Sequence, residues 1–97
     1  MGVDLNRNYD FKFGFNNKGS SQDVCSEDYR GTHGFSEPET AAVRDFVETK
    51  KDILAMAFNF HAYGNLLIYP FNFDPSPSNN DLYQKYPEQA LFFEEIT

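Results

Sequence analysis

His61 is the residue of this sequence whose surroundings most clearly allow chemistry. It follows an apolar run, ILAMAFNF at residues 53–60, and precedes a second short apolar run that ends at Pro70. An apolar run without alternation is typical of a strand buried on both faces of a parallel or mixed sheet. Ligands of open α/β sheets bind just beyond the carboxyl ends of the strands. At that place His61 fits a metal ligand, a general base or a hydrogen-bonded core residue, and its position leaves all three open.

A dense polar cluster near the N-terminus is the second place where chemistry is possible. Its members are Asp4, Asn6, Arg7, Asn8 and Asp10. Asn and Asp favour turns, so a solvated turn is the ordinary interpretation. Arg7 between two asparagines also offers a planar guanidinium flanked by amides, which suits a carboxylate ligand. The residue types favour the turn and leave the carboxylate site open.

Composition limits the size of the protein and the class of its partners. A chain of 97 residues allows one small domain at most, and its 18% aromatic residues need a core or a lined pocket. The net charge of −7 argues against nucleic acid and anionic membranes as partners. No apolar run approaches the roughly 20 residues of a membrane span. Cys25 is the only cysteine, so an internal disulfide and a cysteine-based metal site are excluded.

The clearest predicted element is a helix over residues 36–51. Ser36 can cap it, and Glu39 three residues later completes a capping box. Pro38 falls in the first turn, where no backbone donor is needed. The apolar stripe of this helix consists of Val43, Phe46 and Val47. We expect its role to be structural.

The segments before this helix predict a short strand and a long loop. Residues 1–14 predict a strand that runs out into a loop, and residues 15–35 predict a long loop. In that loop Cys25 and Tyr29 are the expected buried anchors, and His33 is expected to be exposed. A strand buried on both faces needs helices above and below it and several neighbouring strands. The sequence therefore predicts a piece of a larger α/β domain.

Three segments in this order resemble one family. They are GVDLNRNYDFKFG at 2–14, CSEDYRGTHGFSEPET at 25–40 and FNFHAYGNLLIYPF at 58–71. At matching intervals they are similar to the zinc carboxypeptidases of the carboxypeptidase A type. The resemblance implies an α/β fold, with a fragment of a mixed eight-stranded sheet and helices on both faces. Residues 1–97 would then be a single partial domain, the middle portion of the catalytic domain.

The resemblance also implies roles for five residues. His61 matches the third ligand of the one catalytic zinc ion, and a neutral imidazole suits zinc. Tyr63 matches a residue that lines the pocket for the residue just before the scissile bond. Asn6 and Arg7 match the pair that holds the C-terminal carboxylate of a peptide substrate. Asp4 matches an aspartate that hydrogen-bonds a zinc-ligating histidine and so fixes its tautomer.

The departures from the family pattern bear on activity. The family takes its other two zinc ligands from an H-x-x-E motif, and neither His33 nor His61 is followed by Glu at the third place. The resemblance places the general-base Glu after residue 97, and the disulfide partner of Cys25 before residue 1. It further implies cis peptide bonds between Ala62 and Tyr63 and between Pro70 and Phe71, and an extracellular or vesicular location.

Three functions fit these observations. The first is a zinc exopeptidase, whose parent domain hydrolyses the C-terminal peptide bond with a zinc-activated water. The second is a truncated or degenerate relative without catalysis that at most binds peptide C-termini. The third is an amidohydrolase on the same fold. The Asn-Arg-Asn run at residues 6–8 suits a peptide C-terminus and argues against the third.

The isolated 97-residue chain is expected to bind zinc weakly and to hydrolyse nothing. It supplies one expected ligand, His61, where catalytic zinc takes three. Isothermal titration with Zn²⁺ should show no tight site, and release of C-terminal residues from a peptide should stay at the background rate. Zinc-dependent turnover by these residues alone would contradict the expectation.

Overall fold

The computed structural model describes residues 2–66, Ile68 and Phe73. The chain divides into two compact units, Met1–Phe60 and His61–Thr97, and each is described here by itself. That residues 1–97 form one partial domain stays a prediction. Among the described residues no helix has the length and apolar composition needed to cross a membrane.

The first unit begins with a turn rather than the predicted strand. Leu5–Arg7 forms one turn of 3₁₀ helix, and Asp4 caps it by accepting a hydrogen bond from the backbone N–H of Asn6 (2.9 Å). The strand predicted within residues 1–14 is therefore wrong for the described residues 2–14. The cause is local, because a side-chain acceptor two residues away offers the backbone an alternative to a sheet ladder.

The long loop predicted over residues 15–35 is present, with one short helical turn. Phe15–Asn17 forms this 3₁₀ turn, in which Asn16 has a left-handed φ of 55°. Cys25 is exposed, so the prediction that it is a buried anchor is wrong. Tyr29 is half-buried, and its carbonyl accepts a hydrogen bond from the N–H of Asp4 (2.7 Å). That bond fixes the end of the loop to the segment that precedes the 3₁₀ turn.

Helix α1, Pro38–Lys50, confirms the predicted helix with bounds one to two residues inside it. Pro38 is its first residue, as expected. The predicted capping box is wrong: the N-cap is Glu37, which makes no side-chain capping bond. The hydroxyl of Ser36 instead donates to the Glu37 carboxylate (2.6 Å). The predicted apolar stripe of Val43, Phe46 and Val47 is exposed in this unit.

Residues 54–60 contain no helix, strand or turn, and their side chains are exposed. The rings of Phe58 and Phe60 stack at 6.3 Å between centroids, and residues two apart share a face of an extended chain. The described part of the chain holds one isolated parallel bridge, Ser21–Tyr29, and no strand. A strand is defined by hydrogen bonds to a neighbour, so the buried strand and the mixed sheet stay predictions.

The buried residues within the described range 2–60 are polar or lack a side chain. They are Asn8, Arg30, Gly31 and Thr40. Gly31 has φ +89°, and a Cβ atom there would lie 2.5 Å from Ser36 Oγ and 2.6 Å from Asn8 Nδ2. A larger residue would therefore meet both an unfavourable φ and two polar atoms that already bond each other.

Gly31→Ala should destabilise the first unit more than Gly19→Ala. Both glycines have positive φ, but nothing lies within 4 Å of a Cβ at Gly19. Gly19→Ala should therefore lower the free energy of unfolding by about 1–2 kcal/mol, the cost of a left-handed conformation alone. Gly31→Ala should exceed that loss, measured by urea unfolding followed by circular dichroism. Equal losses would mean that the close packing at Gly31 is unimportant.

Candidate functional site

The turn at Leu5–Arg7 presents two polar side chains to solvent. The N–H of Arg7 donates to the carbonyl of Asp4 (2.9 Å), which closes the turn. Asp4 uses carboxylate oxygen Oδ1 for the N–H of Asn6, and Oδ2 has no donor among the described residues. Asn6 and Arg7 both lie on the exposed side. The structure thus brings together Asp4, Asn6 and Arg7 in a single turn.

The guanidinium of Arg7 is exposed and has donors to spare. Its Nη1 donates to the carbonyl of Asn6 at 3.2 Å. The ion pairs found among the described residues join Arg44 to Asp45 and Lys51 to Glu48, and Arg7 takes part in neither. The side-chain amide of Asn6 likewise has no partner in the described part of the chain. The solvated turn is therefore present, and it leaves a planar cation and an amide available to a carboxylate.

Asn8, the residue after Arg7, is completely buried and donates through its side-chain amide. Its Nδ2 lies 2.8 Å from the carbonyl oxygen of Arg30 and 2.7 Å from Ser36 Oγ. A longer contact of 3.2 Å reaches the carbonyl of His33. An amide nitrogen has two hydrogens, so the two shorter bonds satisfy it.

The amide oxygen of Asn8 accepts from the start of α1. Thr40 Oγ1 lies 2.6 Å from Oδ1, and the backbone N–H of Glu37 lies at 3.2 Å. Glu37 is the N-cap and Thr40 the third residue of α1, so Asn8 satisfies a donor that a helix leaves free at its N-terminus. Thr40 is 2% exposed, which makes its hydroxyl a buried partner.

The backbone of Asn8 is fixed as well. Its carbonyl accepts a hydrogen bond from the N–H of Phe35 (2.7 Å), and its N–H donates to the carbonyl of Leu5 (3.2 Å). Phe35 holds a left-handed φ of 57°, which is uncommon for an aromatic residue. Its ring packs edge-on against Tyr9 at 5.7 Å between centroids, and the Arg44 guanidinium lies 5.1 Å from the centroid of the same ring.

Arg30 is also a buried polar residue of this unit, and it holds the loop that precedes it. Its Nη2 donates to Asn17 Oδ1 (2.7 Å), and its Nη1 donates to Ser20 Oγ (3.3 Å). The guanidinium lies 5.7 Å from the centroid of the Phe13 ring. A Cβ at Gly14 would come within 2.7 Å of Arg30 Cζ. These contacts give Arg30 a structural role.

The second unit holds the other two residues predicted to form the site. His61 and Tyr63 are exposed, and neither side chain has a hydrogen-bond partner among the described residues. The peptide bond between Ala62 and Tyr63 is cis, as predicted. The second predicted cis bond, between Pro70 and Phe71, lies outside the described residues. No group of three or more His, Cys, Asp or Glu that could hold a metal is found among the described residues.

His33, the other histidine, is exposed as predicted, and its Nδ1 lies 2.9 Å from the carbonyl oxygen of Gly34. For Asn8, by contrast, the sequence pattern predicts only a place in the polar cluster of residues 4–10. Its side-chain partners lie between 22 and 32 residues further along the chain. A local pattern carries no signal for contacts at that separation, so the burial of Asn8 could not be predicted.

Comparison with known proteins defines the class of the chain. The model of the zinc carboxypeptidase family matches residues 1–92. The chain belongs to this family. Carboxypeptidase B of Helicoverpa zea is 41% identical over 81 residues, which are 84% of this chain and 18% of that protein. Carboxypeptidase A1 of Mus musculus is 41% identical over 86 residues, 87% of this chain and 20% of that protein.

Carboxypeptidase O of Bos taurus is similar at 40% identity over 80 residues, 82% of this chain and 21% of that protein. The chain thus spans about a fifth of the length of the curated relatives that it matches. No solved structure matches the chain significantly.

Removing the hydroxyl of Thr40 should destabilise the first unit. Thr40→Val leaves the buried Oδ1 of Asn8 with the more distant of its two donors, so the free energy of unfolding should fall by about 1–3 kcal/mol. Thr40→Ser keeps the hydroxyl and should lose less. The measurement is urea unfolding of the 97-residue chain.

Thr49→Val is the matched control on the same helix. Thr49 is exposed, and its hydroxyl donates to the carbonyl of Phe46 (2.6 Å). Because water can replace that bond, the control should change stability by no more than about 0.5 kcal/mol. If Thr49→Val lowers the free energy of unfolding as much as Thr40→Val does, the bond from Thr40 to Asn8 contributes no more than an exposed bond.

Proposed function

We propose that residues 1–97 contribute to a zinc carboxypeptidase catalytic domain that removes the C-terminal residue from peptides and proteins. The observation that carries the proposal is the exposed pair Asn6 and Arg7, whose side-chain donors are available on a closed turn. Membership of the zinc carboxypeptidase family supports it. The α/β fold with a mixed sheet and an extracellular or vesicular location belong to the same proposal, because the resemblance implies them.

In this proposal Arg7 reads the negative charge of the substrate's C-terminus. A guanidinium presents parallel N–H groups that match the two oxygens of a carboxylate. Asn6 adds an amide donor from the same turn. A backbone hydrogen bond from Arg7 to Asp4 closes the turn. The side chains of Asn6 and Arg7 are therefore held next to one another before a ligand binds. A peptide whose C-terminus is an amide would lose this charge-assisted contact.

Zinc is the cofactor implied by the family, and the described residues fit a partial ligand set. The imidazole of His61 is exposed without a hydrogen-bond partner in the described part of the chain, so it can serve as one ligand. When bound, zinc acts as a Lewis acid toward a carbonyl oxygen and lowers the pKa of water. Asp4 keeps Oδ2 available to orient a further ligating imidazole through its N–H.

Tyr63 is proposed to line the pocket for the residue just before the scissile bond. Its side chain is fully exposed and follows His61 by two residues, so its ring can pack on a substrate side chain next to the proposed zinc ligand.

The alternative function is a relative that binds peptide C-termini without hydrolysing them. The two functions differ in turnover, whereas both require the carboxylate contact at Arg7.

Arg7→Ala tests the carboxylate contact in a zinc-loaded catalytic domain that contains residues 1–97. A charge-assisted hydrogen bond contributes about 1.5–3 kcal/mol, so kcat/KM for a peptide with a free C-terminus should fall by about tenfold to a hundredfold. Arg7→Lys should recover part of the loss, because an ammonium is a point charge without the parallel donors. Steady-state kinetics give both numbers.

The control is the same peptide with an amidated C-terminus. The unmodified protein should discriminate strongly against it, and Arg7→Ala should remove most of that discrimination. If Arg7→Ala slows both substrates equally, Arg7 has a structural role in the turn. Carboxylate-dependent binding without turnover would support the non-catalytic alternative.

A further inference from the structure

We infer that Asn8 is the positioning residue for the carboxylate site at Asn6 and Arg7. Its buried side-chain amide fixes the turn that carries Arg7 to the start of α1 and to the 30–36 loop. The inference rests on the proposed function, which gives Arg7 its ligand. Asn8 is 0% exposed, so it acts through its neighbour and contacts no substrate itself.

The bonding capacity of the Asn8 amide is fully used by distant segments. Its partners on the 30–36 loop are the Arg30 carbonyl and the Ser36 hydroxyl, and its partners at α1 are Glu37 and Thr40. Both hydrogens of Nδ2 and both lone pairs of Oδ1 therefore take part in hydrogen bonds. A planar amide held from four directions can neither rotate nor shift without breaking a buried bond.

Arg7, by contrast, has only local hydrogen bonds within the part of the chain that the structure describes. Its N–H bonds to the Asp4 carbonyl and its Nη1 to the Asn6 carbonyl. Its position relative to the rest of the first unit is therefore set by its chain neighbours. Asn8 follows it directly, and consecutive Cα atoms are about 3.8 Å apart across a trans peptide. A displacement of Asn8 is passed to Arg7 through one rigid peptide plane.

The other attachment of the turn is weaker. At its N-terminal side the N–H of Asp4 bonds to the Tyr29 carbonyl, and both residues are half-buried. At the C-terminal side of the turn, Asn8 makes the buried hydrogen bonds of its side-chain amide and accepts a backbone hydrogen bond from the N–H of Phe35. The packing at Gly31 also shows how closely Asn8 is held, because a Cβ atom at residue 31 would displace Asn8 Nδ2 or Ser36 Oγ. The orientation of the turn thus depends mainly on Asn8.

Thr40→Val tests the positioning role because it loosens Asn8 without changing the turn or Arg7. In the 97-residue chain, amide hydrogen exchange by NMR should become about tenfold faster at the N–H groups of Arg7 and Phe35, as expected if a buried bond is lost. Thr40→Ser should restore the slower exchange. An unprotected Arg7 N–H in the unmodified chain would overturn the inference.

Gly19→Ala is the matched control for general instability. It should lower the free energy of unfolding while leaving every contact of Asn8 in place. At equal free energy of unfolding, reached by adjusting the urea concentration, Thr40→Val should accelerate exchange at Arg7 more than Gly19→Ala does. Equal acceleration by the two variants would reduce Asn8 to a general stabilising role and overturn the inference.

The kinetic arm uses the same zinc-loaded domain as the Arg7 experiment. Thr40→Val should raise KM for the free C-terminus and lower its preference over the amide by about tenfold, since small misplacements of a positioning group are costly. The kcat value should change little, and Thr40→Ser should behave like the unmodified protein.

The two arms separate the inference from the proposed function. If Arg7→Ala removes the preference and Thr40→Val leaves it intact, the positioning role of Asn8 is wrong and the carboxylate site stands. If Arg7→Ala itself leaves the preference intact, the proposed function is wrong. In that case the exchange experiment still decides whether Asn8 fixes the turn.

Discussion

The side-chain amide of Asn8 is the interaction on which the first unit depends. An amide taken out of water without partners costs about 2–7 kcal/mol, depending on the reference state, so its complete burial requires that every bond be made. Those bonds join the turn to the 30–36 loop and to the start of α1, which lie 22 to 32 residues further along the chain. No apolar side chain is completely buried in the described part of this unit, so polar contacts replace a hydrophobic core there.

The location of the candidate site follows from this constraint. Because Asn8 points inward, the exposed side of the turn falls to Asn6 and Arg7. In the Asn-Arg-Asn run at residues 6–8, one amide is thus buried, and a guanidinium and a second amide are exposed. One carboxylate oxygen of Asp4 caps the turn, and the other accepts no hydrogen bond from the described residues.

Local chemistry decides which features could be predicted from the sequence. Pro38 at the start of α1 and the turn at residues 4–8 follow from residue types a few positions apart, and both are present. Ser36 does not cap α1 as predicted, because its hydroxyl bonds Asn8, 28 residues earlier in the chain. Cys25 is exposed although cysteine is usually buried, since residue type alone does not determine its neighbours. The role of His61 depends on further ligands, which spacing within this chain does not supply.

The chemical neutrality of the partners around the buried groups has a consequence for the conditions under which this scaffold can work. The partners of Arg30 are an amide, a hydroxyl and an aromatic ring, all of which are uncharged. Asn8 is likewise bonded to hydroxyls and backbone groups. Bonds of this kind do not depend on protonation, and dissolved ions screen them little compared with exposed ion pairs. The buried bonds behind the turn are therefore little affected by salt, whereas the exposed guanidinium of Arg7 is open to screening by dissolved ions.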